Sequence, residues 1–162
     1  MASIGNAALL ASVPQLTSPV RIAIVKTAWN AAITNKLEAG ALRVLAAAGI
    51  TDVHSYTVPG AVEVPYMVHQ LANSANDYAD AYIAFACVIK GDTPHFDYVC
   101  QSITQGITQL NIMLPSPVIY GVLTVLTDEQ AQERIGGKHG HKGEEAAITA
   151  LQMIAAKRGL EG

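Results

Sequence analysis

The amino-acid sequence predicts an α/β fold: a three-layer α/β/α sandwich around a central parallel sheet of four strands. One domain is expected over residues 21–162, preceded by an arm or extra strand over 1–20. Three observations carry this reading. Short β-branched apolar runs alternate with longer stretches of helical period, which implies parallel pairing through helical crossovers. One run, 81–89, is apolar throughout, the mark of a strand buried on both faces. Each strand run ends in turn residues that lead into a helical segment.

The elements follow in order. Residues 1–20 carry no charge, and Pro14 and Pro19 limit pairing to an edge strand. The apolar run at 7–13 lacks the basic segment of a signal peptide, so an arm or added strand is the preferred reading over a leader. Residues 21–25 form the first strand, Asn30 sits where an N-cap belongs, and 31–48 has helical spacing at Ile33, Leu37, Ala41, Val44 and Leu45. Gly49 is a suitable stop. Residues 53–58 give the second strand, and Pro59-Gly60-Ala61 turns into a helix reaching Ala72. After the strand at 81–89, the loop 90–94 opens a helix over 95–113. A strand over 118–125 follows, and Thr127-Asp128-Glu129-Gln130 is a capping box for a short helix. The glycine-rich basic loop 136–143 precedes a last helix over 144–157.

Charge and composition narrow the function. Charged residues make up 14% of the chain against ~25% for an average soluble domain. So few charges suggest that surface is buried against further copies of the chain, although an apolar monomer would share the pattern. A net charge of −3 without a Lys/Arg run argues against nucleic acid. No apolar run approaches the ~20 residues of a membrane span. Cys87 and Cys100 lack metal or redox spacing and fit free thiols in a reducing, cytoplasmic setting.

Ligands in such sheets bind outside the carboxyl ends of the strands. That rule selects four loops, 26–30, 59–63, 90–97 and 124–127, and the glycine-rich basic segment is a further candidate. Lys90-Gly91-Asp92-Thr93-Pro94-His95 opens a helix whose N–H groups favour an anion. Thr93 adds a hydroxyl, and His95 is of the residue type that exchanges protons near neutral pH. An ordinary βα loop with a surface histidine fits this stretch equally well. Arg134 and Lys142 flank glycines and could converge on one phosphate, or could be a solvated basic loop. His139 and His141 have no carboxylate or thiol in the pattern and make a poor metal site. Pro59 to Glu63 offers turn backbone to a flat heterocycle, with Glu63 as acceptor or as simple helix-start charge. Trp29 is the only tryptophan, either a stacking platform or a core residue. Cys100, one turn into its helix, reads as core, and no nucleophile motif or GxGxxG is present.

Taken together, three runs resemble the lumazine synthase family: Val58-Pro59-Gly60-Ala61-Val62-Glu63, Val88 through Lys90-Gly91-Asp92-Thr93-Pro94-His95 to Val99, and Pro117 through Tyr120-Gly121 to Thr124. Glu129-Gln130-Ala131 and the segment from Arg134 to Ala147 continue the likeness, which spans 21–157. The resemblance implies a flavodoxin-like fold and no cofactor. It implies an enzyme that condenses 5-amino-6-(ribitylamino)uracil with 3,4-dihydroxy-2-butanone 4-phosphate to 6,7-dimethyl-8-ribityllumazine. It gives Trp29 the stacking role beside Asn30. Gly60, Ala61, Val62 and Glu63 would meet the ribityl chain, and Cys87, Val88 and Ile89 the pyrimidine edge. Gly91, Asp92, Thr93 and Arg134 would hold phosphate. His95 would shuttle the proton, and Lys142 would sit near the reacting carbonyl. Tyr120 would close the pocket from a neighbouring subunit.

The resemblance further implies a homo-oligomer with sites between subunits, a pentamer or a shell of pentamers, and riboflavin synthase as a further candidate partner. Four positions depart from the family pattern and bear on pocket shape: His141 for Asn, Lys90 for Arg, Val62 for an aromatic and Ala86 for Gly. Two other classes stay open on the sequence: a non-catalytic flavin or lumazine binder, and a storage shell.

Overall fold

The computed structural model of the chain describes residues 12–161. Strands β1 (Arg21–Thr27), β2 (Asp52–Val58), β3 (Ala81–Ile89) and β4 (Val118–Val125) form one sheet in the order β2-β1-β3-β4, every pair parallel. Helices α1 (Ala31–Ala47) and α5 (Lys142–Glu161) cover one face; α2 (Val64–Ala72) and α3 (His95–Met113) cover the other. The three-layer α/β/α expectation holds. A 3-10 turn (Ala61–Glu63) precedes α2. A short α4 (Asp128–Gln132) leads into a hairpin of β5 (Ile135–Gly137) and β6 (Gly140–His141).

Side-chain alternation builds two cores. Ile22 and Ile24 of β1 with Ile83 and Phe85 of β3 meet Ile33, Leu37 and Leu45 of α1 and Ile148 and Leu151 of α5. On the other face, Ala23, Val25, Tyr82 and Ala84 meet Val64 and Val68 of α2 and Ile103 and Ile107 of α3. Every residue from Ala81 to Cys87 is buried, as the unbroken apolar run required. β4 forms one edge of the sheet, so its outer backbone has no neighbouring strand among the described residues.

The departures from expectation are local. α1 ends near Gly49, whose φ of 77° suits a glycine stop. Asn30 does precede α1, but its side chain makes no cap hydrogen bond; the residue is left-handed, with φ 58°. The segment 136–143 is a hairpin running into α5, and Lys142 and Gly143 begin that helix two residues early. Cys100 is half-buried on α3 and belongs to neither core cluster. Most of the 7–13 run lies outside the described residues. Residues 12–20 join no sheet and lie along α5. Gln152 donates to Ser12 Oγ at 2.9 Å, and Arg158 to the Pro19 carbonyl at 2.9 Å.

Candidate functional site

The sheet order places a crevice between the carboxyl ends of β1 and β3. After β1 the chain turns to the α1 face, and after β3 to the α3 face, so the loops diverge there. Asn30 spans this crevice: its Nδ2 donates to the Cys87 carbonyl at 2.7 Å. The left-handed backbone at Asn30, a conformation asparagine tolerates, aims the side chain across the strands instead of at the helix start.

On the β2 side, the Ala28 and Trp29 amides donate to the carbonyls of Val58 and Pro59 at 2.7 and 3.1 Å. Trp29 is 69% exposed, which settles its reading against the core. Its ring lies over Gly60, where a Cβ would come within 2.6 Å of two ring carbons. Glu63 Oε2 accepts from the Gly60 amide at 3.0 Å, so turn, carboxylate and indole form one wall. Ala61 is buried behind it and Val62 is exposed. Across the crevice, Val88 and Ile89 pair with Thr124 and Val125. Gly91, Asp92, Thr93 and His95 are exposed at the start of α3, where the His95 amide reaches Thr93 Oγ1 at 3.4 Å.

The cationic pair lies elsewhere. Arg134, Lys142 and Tyr120 line a groove of about 890 Å3 along the β4 edge, between β4 and α5. Trp29, Glu63 and His95 are not in its lining. Arg134 Nη1 donates to the Gln130 carbonyl at 2.7 Å, and the Lys142 amide donates to the Arg134 carbonyl at 2.8 Å. Lys142 Nζ donates to both carboxylate oxygens of Glu145 at 2.8 Å. Tyr120 leans toward α3, its hydroxyl 2.9 Å from that of Thr104. Glu145 is the residue that sequence reasoning missed. The i, i+3 Lys–Glu spacing would have marked it, had α5 been started at Lys142.

Burial and the nearby Asp128 carboxylate push the Cys87 thiol up to about 11. It stays protonated and contributes its carbonyl, not a nucleophile. His139 Nε2 is 3.6 Å from Glu133, while His141 turns inward against α1. Burial lowers the His141 pKa below its ordinary 6.5. Arg43 adds to that effect, and Glu144 and Glu145 oppose it. The unfolded chain therefore takes up this proton more readily than the folded one, and folding stability falls as pH drops below about 6.5. Above that pH the contribution is flat. Urea melts of the wild type and His141→Asn between pH 7.5 and 5 should show a shallower acid loss in the variant; equal slopes would remove His141 as the cause.

The fold and this edge define a class: a doubly wound α/β protein with a crevice at the strand switch, walled by an exposed indole, and a separate cationic groove on the sheet edge. The family model described as 6,7-dimethyl-8-ribityllumazine synthase matches residues 19–158. The chain belongs to that family. A 6,7-dimethyl-8-ribityllumazine synthase from Porphyromonas gingivalis is 50% identical over 141 residues, covering 86% of each chain. A protein of the same name from Bacteroides fragilis is 47% identical over 137 residues, 83% of this chain and 94% of its own. Another, from Phocaeicola vulgatus, is 45% identical over 152 residues, 93% and 89% respectively.

Proposed function

We propose that the chain is a transferase of riboflavin biosynthesis. It joins 5-amino-6-(ribitylamino)uracil to 3,4-dihydroxy-2-butanone 4-phosphate, giving 6,7-dimethyl-8-ribityllumazine, phosphate and water. The observation that carries this reading is the exposed Trp29 ring lying on Gly60 beside Glu63, with the α3 start across the crevice. An indole face stacks the pyrimidine, Glu63 accepts from ribityl hydroxyls, and the α3 amides with Thr93 receive phosphate. The pyrimidine amine attacks the ketone to form an imine with loss of one water, phosphate is eliminated, and the second amine closes the ring with loss of a second water. His95 moves the proton. Holding both reactants in register supplies most of the acceleration, with ~7–11 kcal/mol as the upper range.

Each working site is completed by a second copy of the chain. Two features support this: Arg134, Lys142 and Tyr120 share a groove that leaves out Trp29 and His95, and that groove follows an open sheet edge. The second chain brings the cations and Tyr120 to the first chain's crevice. A ring of five such contacts, or a shell of pentamers, satisfies the geometry, and light scattering measures which forms. Riboflavin synthase, which consumes the product, is the proposed partner. The free thiols fit a cytoplasmic enzyme. No helix among the described residues is long and apolar enough to cross a membrane.

Mixing the two substrates should yield lumazine fluorescence; its absence overturns the reading. His95→Ala should lower kcat about 10²-fold, the range of general acid–base catalysis. Unchanged turnover would remove His95 from the proton path.

A further inference from the structure

His141 combines two features that no role so far explains. It is 6% exposed, and its Nδ1 is a buried side-chain nitrogen without a hydrogen-bond partner among the described residues. Its ring also fills a notch in α1. A Cβ on Gly40 would lie 2.1 Å from Cε1, 2.5 Å from Nδ1 and 2.8 Å from Nε2. A polar ring is thus buried with an unsatisfied nitrogen, in a space that only a glycine leaves open. Burying such a group carries a desolvation cost, and a purely apolar side chain would fill the notch without it.

The neighbours of His141 supply the reason to hold it there. It pairs with Ile135 across the hairpin and directly precedes Lys142. The Lys142 amide donates to the Arg134 carbonyl. Seating the ring therefore fixes the backbone of Lys142, and through that hydrogen bond the backbone of Arg134. On either side the same segment is held by the Arg43–Glu144 ion pair at 2.9 Å and the Lys138–Glu133 pair at 2.7 Å.

We propose that His141 is a positioning residue: its ring, docked in the Gly40 notch of α1, sets Lys142 and Arg134 at the spacing at which both meet one phosphate group. This rests on the phosphosugar reading given above and deepens it. The ring itself touches no substrate. It acts by fixing where two cations stand, and a displacement near 1 Å of such groups can cost up to ~10²-fold in rate.

The test uses the full-length enzyme and three variants: His141→Ala, Gly40→Ala and the double substitution. The readouts are the Kd for inorganic phosphate, the KM of each substrate, and Tm. Each single variant should raise the phosphate Kd and the phosphosugar KM about 10-fold, with the aminopyrimidine KM unchanged. Because both act through one contact, the double variant should also lose about 10-fold, not the product of the two losses. His141→Ala only opens space, so it keeps the test available if Gly40→Ala does not fold. A His141→Ala enzyme with lower Tm but unchanged phosphate Kd would overturn the proposal and leave the reaction intact. A wild type that neither binds phosphate nor forms product would overturn the phosphosugar reading instead.

Discussion

Arg134→Ala is expected to raise the KM for the phosphosugar by ~10- to 10²-fold while leaving the KM for the aminopyrimidine unchanged. The range follows from removing a charge-assisted hydrogen bond, ~1.5–3 kcal/mol. Arg134 already spends one donor, Nη1, on the Gln130 carbonyl at 2.7 Å. That bond orients the guanidinium and leaves a planar fork for two phosphate oxygens. Arg134→Lys keeps the charge and loses the fork, so it should recover part of the loss. Lys142 cannot compensate, because two bonds of its ammonium go to Glu145. Losing a single partly exposed hydrogen bond should cost the fold only ~0.5–1.5 kcal/mol, so Tm should stay near that of the wild type. Steady-state kinetics with each substrate varied in turn checks the split. Equal loss for both substrates would place Arg134 outside the phosphate site.

The particular residues show what the sequence carried and what it withheld. Strand and helix identities are local properties. The apolar run at 81–89 is typical of a doubly buried strand, and the spacing of Leu37, Ala41, Val44 and Leu45 fits a helix face. Trp29, Glu63 and His95 were found because strand ends in such folds carry the ligand. Strand order is not local. Nothing near Arg134 tells that β4 is an edge, and the likeness that joins Arg134 to Thr93 in one pocket places that pocket between two chains. Within one chain, Arg134 instead shares a groove with Tyr120. The β5–β6 hairpin, three residues against two, is too short for an alternating pattern to register. Its glycines read only as loop. Asn30 was read as a cap because its position before α1 was visible, while its left-handed backbone was not. The inward turn of His141 depended on Gly40, 101 residues earlier, and no neighbouring residue announces that contact.

Gly143→Ala is expected to be the most damaging glycine-to-alanine change among the described residues. Its Cβ would stand 1.9 Å from the Leu37 carbonyl oxygen, 2.7 Å from the carbonyl carbon and 2.8 Å from Cα. All three atoms are backbone of a buried turn of α1, so no side chain can rotate away. Reaching an ordinary carbon–oxygen separation of ~3.3 Å requires α5 to retreat by about 1.4 Å. Overpacking of this kind costs ~1–3 kcal/mol. For a chain of this size each kcal/mol moves Tm by ~2–4 °C, so a fall of roughly 2–12 °C should appear in a thermal melt. The retreat also carries Lys142, the residue before it, away from the Arg134 carbonyl. Turnover should therefore fall about 10²-fold even where the variant remains folded. The aminopyrimidine side of the site should keep its affinity, because Trp29, Gly60 and Glu63 sit on the loops after β1 and β2. A Gly143→Ala enzyme with wild-type Tm and kcat would show that α1 and α5 are not held at this distance. The close approach that sets the two cations would then have to lie elsewhere.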